Sequence, residues 1–155
     1  MLRLGFQNIG GFPRERNKIK EENIRIGIST YSFDIFGIVE TNTYWRLVPK
    51  DLKLHNRLKH RWDSLHLSMA FNGSSAPRTS RQFGGVALLS MNKAAHRVID
   101  KGLDASGLGR WCWTQYRGKA SNTLRVIGPQ GTSVCRRSPH VRRIPYKSGH
   151  FFSIF

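Results

Sequence analysis

Acidic residues run out early in this chain. The last carboxylate is Asp104, and nine Lys and Arg follow it with nothing to offset them. A uniform globular surface rarely has such a distribution, so the C-terminal third is expected to differ in kind from the rest. Cysteine is equally scarce. Cys112 and Cys135 are the only two, which excludes a disulfide framework and a four-cysteine zinc site and makes a reducing, intracellular compartment the default. No apolar stretch approaches the ~20 residues that a membrane helix needs, so no membrane span is expected. The first residues, Met1 to Gln7, lack the extended apolar region of a secretory leader. The six histidines, at 55, 60, 66, 96, 140 and 150, show no metal-ligand spacing: His55 and His60 are five apart and do not stack on one helical face.

What is present is positive charge and enough apolar material to fold. Lys and Arg total 26 against nine Asp and Glu, a net charge of +17. Such a field draws in polyanions. Nucleic acid is the expected partner, DNA without sequence preference, with an anionic membrane surface second to it. A chain of 155 residues fits one domain. Its 39% hydrophobic content, with nine Phe and four Trp, is enough to bury a core.

Apolar and polar residues alternate from Leu2 to Asn8, predicting a short strand that ends at the Gly10-Gly11-Phe12-Pro13 turn. Residues 16–31 carry Ile24, Ile28 and Tyr31 on one helical stripe, with Lys18, Lys20, Glu21 and Glu22 pointing out; Ile24, Ile26 and Ile28 also alternate as in a strand, and helix is the favoured reading. Residues 34–40 are nearly all apolar and then abruptly acidic, the pattern of a strand buried on both faces with Glu40 at its C-terminal end. A mixed basic stretch over 43–64 reads as loop with a short helical piece. Further strands are predicted at 65–71, 83–90, 96–100, 110–116 and 124–127, with a Ser-, Gly- and Pro-rich loop over 72–82. Together these suggest a mixed α/β fold. From Pro129 the periodicity ends, dividing the chain into a domain over 1–128 and an irregular basic tail over 129–155.

Two side chains stand where chemistry could be done. Asn8 and Glu40 each end an apolar strand, and parallel neighbours in one sheet would bring both to the edge where ligands bind α/β sheets. A carboxylate there suits Mg²⁺, which prefers oxygen ligands and keeps several waters. By spacing alone the plainer reading, a solvated Glu and a turn Asn, is preferred. Cys112 reads as a core thiol. Trp111 and Trp113 share a sheet face and read as core in preference to a base-stacking platform. Arg136-Arg137 and Arg142-Arg143 suit phosphate contact or incidental charge equally.

Four segments carry a resemblance. Phe6-Gln7-Asn8-Ile9-Gly10-Gly11 is similar to the first-strand motif of the endonuclease/exonuclease/phosphatase superfamily. The run from Asp34 to Asn42 resembles its second motif, a buried strand ending in the metal-binding Glu. Phe83 to Leu89 resembles the Gly-Gly strand that follows, and Arg125-Val126-Ile127-Gly128 the strand leading into a Tyr-Arg-Pro segment. The order matches, and the wording is most similar to endonuclease-like domains of retrotransposon-derived open reading frames. The resemblance covers residues 2–128. It implies the N-terminal half of a four-layer α/β/β/α sandwich of the DNase I-like type and an Mg²⁺-dependent phosphodiesterase chemistry. It further implies that Glu40 binds the metal, that Asn8 orients that Glu or the phosphate as a catalytic residue, and that Gly84-Gly85 permit close backbone approach.

The departures carry equal weight. Pro129-Gln130-Gly131 stand where the family places a phosphate-contacting Tyr. The Asp-x-Asn pair, the further Asp and the terminal Asp-His of the family's second half have no counterpart, and Ser148-Gly149-His150 lacks the Asp that would orient its His. The resemblance therefore implies a truncated, catalytically incomplete domain. The alternatives are a non-catalytic basic nucleic-acid-binding module and a non-functional remnant. With half of the sandwich missing, the sheet face around Ile38, Val86 and Leu88 is expected to be exposed and to favour self-association.

Overall fold

The structure, a computed structural model, describes residues 1–12, 18–73, 81–129, 134–137 and 141–143. Strand β2 (Ile35–Val39) is buried at every position, as its unbroken apolar run requires. It pairs in parallel with β1 (Leu4–Asn8) and antiparallel with β4 (Val86–Met91), which in turn pairs with β3 (Leu65–Ala70), giving the order β1-β2-β4-β3. Helix α1 (Lys18–Thr30) lies between β1 and β2 in the chain, the crossover that parallel neighbours need. A short α2 (Leu54–Leu58), flanked by single 3-10 turns, and a one-turn α3 (Asn92–Ala95) complete the helices. A second sheet has the order β5-β6-β7-β8-β9, built from β5 (Val98–Leu103), β6 (Trp111–Arg117), β7 (Thr123–Pro129), β8 (Val134–Arg137) and β9 (Val141–Arg143).

Strand alternation sends the first sheet's residues into two cores. Phe36, Ile38, Ala87 and Leu89 meet Ile24 and Ile28 of α1 and Leu54 and Leu58 of α2. Ile35, Val39, Val86 and Leu88 meet Cys112, Tyr116 and Val126 of the second sheet. Gly37 leaves the space into which the Phe6 ring lies; a Cβ there would overlap that ring. Hydroxyl pairs bridge the two sheets: Thr114 Oγ1 donates to Ser68 Oγ at 2.8 Å, and Ser90 Oγ and the Tyr116 hydroxyl lie 2.7 Å apart. Burial pushes the Tyr116 phenol and the Cys112 thiol each up to about 12, which fits Cys112 as a core thiol.

Several expectations are corrected. Ile38, Val86 and Leu88 are fully buried. The chain's own β6 and β7 cover Val86 and Leu88 on one face, and the helices cover Ile38 on the other. The exposed apolar face on which self-association was expected to rest is therefore absent at these residues. Trp111 and Trp113 are not core. On β6 it is Cys112, Thr114 and Tyr116 that are buried, and the two Trp lie half-buried on the opposite face, because a strand has one inward residue in two. Tyr31 falls in the turn beyond α1 and is 48% exposed. Glu21 does not point freely outward: Arg57 Nε donates to its Oε2 at 2.8 Å. β4 starts at Val86, after the glycines, and Phe83 is exposed. Within the stretch read as an irregular tail, β8 and β9 extend the second sheet. Backbone pairing along β7 requires no apolar period, which is why periodicity missed them. The loop residues 74–80 and the terminal residues 144–155, including His150, lie outside the described residues.

Candidate functional site

The parallel pairing of β1 with β2 aligns Asn8 with Val39, so Asn8 and Glu40 stand at the same, C-terminal edge of adjoining strands. The pairing continues past both strand ends. Ile9 N donates to Val39 O at 3.2 Å, Gly11 N to Glu40 O at 2.8 Å and Phe12 N to Thr41 O at 2.6 Å. On the other side Thr41 N donates to Gly85 O at 3.1 Å and Asn42 N to Gly84 O at 2.7 Å, while Asn42 Oδ1 accepts from Gly84 N at 2.9 Å. The segment 40–42 is thus held between the glycine turn after β1 and the glycine pair before β4.

That clamp holds an unusual backbone. Glu40 has φ +56° and Asn42 φ +48°, in the left-handed region that costs an L-residue about 1–2 kcal/mol. Asn tolerates it; Glu does so rarely. Gly85, at φ +95°, is needed for a second reason: a Cβ there would overlap Thr41 Oγ1. The close backbone approach expected of Gly84-Gly85 is what the structure has.

The side chains differ in their commitments. Asn8 is exposed, and its Oδ1 accepts from Gly10 N at 2.9 Å, so this oxygen shapes the turn. Glu40 is half-buried. From behind, Lys20 of α1 donates its Nζ to Gly11 O at 2.7 Å, and the Arg57 guanidinium lies 4.6 Å from the centre of the Phe12 ring. These contacts tie the turn to the helical layer. Asn42 is the residue that the sequence reading passed over. It closes the run from Asp34 to Asn42, and the signal was available, since Asn is the non-glycine residue best suited to a left-handed turn whose side chain caps a neighbouring N–H.

Glu40 offers a hard cation one carboxylate. Among the described residues no group of three or more His, Cys, Asp or Glu is gathered. The last acid, Asp104, is used structurally: it accepts from Ser106 N, Ser106 Oγ and Arg110 N at 2.6–2.9 Å. Burial acts to raise its pKa, but these bonds and the Arg110 charge outweigh that and leave it below the ordinary carboxylate value. Mg²⁺ bound by protein usually takes one or two carboxylates together with substrate phosphates. Glu40 alone fits the role of one ligand, not of a complete site.

No family model matches the chain, and no curated protein matches it. Among solved structures it is similar to an AP endonuclease from Archaeoglobus fulgidus, at 14% identity and a TM-score of 0.43 over 88% of this chain. The chain spans 40% of the length of that structure. Among the described residues no helix is long and apolar enough to cross a membrane.

Proposed function

We propose that this chain corresponds to the first half of an endonuclease/exonuclease/phosphatase domain of retrotransposon type, that it binds DNA without sequence preference, and that it does not cleave it unaided. The observation that carries the reading is the meeting of Asn8 and Glu40 at one edge of two parallel strands, beside the Gly84-Gly85 pair. The motif order in the sequence asks for that juxtaposition. In this reading Glu40 is one Mg²⁺ ligand and Asn8 a neighbouring polar group. A bound Mg²⁺ would polarise a phosphodiester and stabilise the leaving oxygen. The partner carboxylates and the proton-transfer His of the family are missing from the sequence, and loss of acid–base assistance alone costs about 10²- to 10⁴-fold in rate.

Plasmid nicking with Mg²⁺ tests the reading. The expected result is no nicking together with retention of the plasmid at low salt. The affinity should fall with a log–log salt slope of about −0.9 for each phosphate neutralised. Mg²⁺-dependent nicking that Glu40→Ala abolishes would overturn the non-cleaving part. The second reading, a binding module with no catalytic ancestry in its site, draws support from the acid-free strands β6 to β9. Binding that ignores salt, or none at low salt, would leave only a remnant without either role.

A further inference from the structure

The side of the second sheet that faces away from the first is built unlike the rest of the molecule. Trp113 stands opposite Gly102 of β5, and a Cβ on Gly102 would overlap the indole. The ring therefore lies down across the glycine instead of standing off the sheet. On its other flank, the Arg125 guanidinium carbon sits 4.1 Å from the ring centroid. That guanidinium is fixed in turn, because Arg125 Nε and Nη2 donate to Gln115 Oε1 at 3.3 and 2.7 Å. Gln115 and Arg125 are opposite one another in the β6–β7 register. The result is a three-part stack of backbone, indole and planar cation, with Arg125 exposed at the top and Trp111 half-buried on the same side of β6.

The charge around this stack is mainly positive. β6 to β9 contain no Asp or Glu; Arg117 is exposed on the Trp113 face of β6, and Arg136 of β8 is in register with Arg125. The nearest acid on the neighbouring strand is Asp100, opposite Gln115, and its Oδ1 accepts from the Lys101 N–H.

We propose that this outer face is a binding site for single-stranded nucleic acid, in which an unpaired base stacks on the Trp113–Arg125 pair while the exposed Arg125 and Arg117 neutralise phosphates. A planar guanidinium and an indole both present a π or cationic face that any base can cover. A duplex keeps its bases stacked inside and offers this face only its phosphates, so the stack adds nothing to duplex binding. A cation–π pair serving only to hold strands together would not need the exposed guanidinium. The site is separate from the Asn8–Glu40 edge and requires neither metal nor cleavage there.

The test compares oligothymidylate with a duplex of mixed sequence on the full chain, by anisotropy over a range of salt. Trp113→Ala is expected to weaken oligothymidylate binding by about 10- to 100-fold, with the duplex affinity and the salt slope unchanged. Trp113→Phe should recover most of the loss. Arg125→Lys, which keeps the charge but not the plane, should weaken the single strand selectively. Denaturant midpoints of Trp113→Phe and Arg125→Lys near wild type separate a binding loss from a folding loss. Equal losses for both nucleic acids, no loss with either variant, or tighter binding to vesicles of phosphatidylserine than to oligothymidylate would each overturn the proposal. Failure here leaves the strand-end reading standing, since that rests on Glu40 and on nicking.

Discussion

The strand edge at Glu40 and the outer face around Trp113 use their polar groups in opposite ways. At the edge, main-chain N–H and C=O groups of residues 9–12, 39–42 and 84–85 are bonded to one another, and the side chains Asn8 and Asn42 serve that backbone. The half-buried Glu40 side chain makes no backbone hydrogen bond among the described residues. On the outer face the backbone is ordinary sheet, and side chains do the building: Gln115 fixes Arg125, and Arg125 covers Trp113. The first arrangement places one charge with high precision and little redundancy. The second spreads cationic and aromatic surface, which suits a partner recognised by charge and stacking in preference to one exact geometry.

The largest effect should come from the layer beneath both regions. Leu88→Ala removes a fully buried side chain between the sheets and is expected to cost about 2–5 kcal/mol in urea unfolding. A cost near zero would mean that β6 and β7 do not cover that face in solution. Next comes the clamp. Gly85→Ala puts a Cβ onto Thr41 at a positive φ and should destabilise by about 2–4 kcal/mol, strain and overpacking together, whereas Gly107→Ala, at positive φ in open space, should cost only about 1 kcal/mol.

A smaller change, of opposite sign, is expected at Glu40. Glu40→Gly relieves a left-handed non-glycine residue and is expected to raise stability by about 1 kcal/mol. Such a gain marks a side chain whose backbone strain serves something other than folding; a loss would show that Glu40 is there to hold the fold. The smallest effect concerns His66. Burial, then the charges of Lys101 and His55, keep its imidazole below the ordinary 6.5, and its Nδ1 is buried without a hydrogen-bond partner among the described residues. The unfolded chain therefore binds the proton more readily than the folded one, so stability is full above 6.5 and declines as the pH falls through that value. His66→Gln should flatten the decline in the denaturant midpoint between neutral pH and mild acid.

How far the sequence could be read differs between these regions for a physical reason. Local pattern located β1, α1, β2 and most later strands, because burial on one or both faces leaves a period in the residues themselves, as in the unbroken run Ile35 to Val39. The same reading placed Asn8 and Glu40 at strand ends, while the role of Gly84-Gly85 came from the resemblance. It misjudged Trp111 and Trp113, since alternation reveals that two residues share a face but not which face is inward. Only the packing of Cys112, Thr114 and Tyr116 against Ser68, Val86 and Ser90 decides that. It also misjudged Val86 and Leu88, whose cover comes from strands up to 40 residues further along the chain.

The amino-acid sequence by itself determined the charge of +17, the absence of any carboxylate after Asp104 and the short-range periods that make strands and helix. Those are properties of composition and of neighbours a few positions apart, and no fold alters them. Which strands adjoin, that Glu40 sits in a left-handed turn between two glycine segments, and that Arg125 lies on Trp113 were decided by tertiary structure alone. Each depends on groups brought together from 10 or more positions apart, and side-chain period carries no record of such pairings.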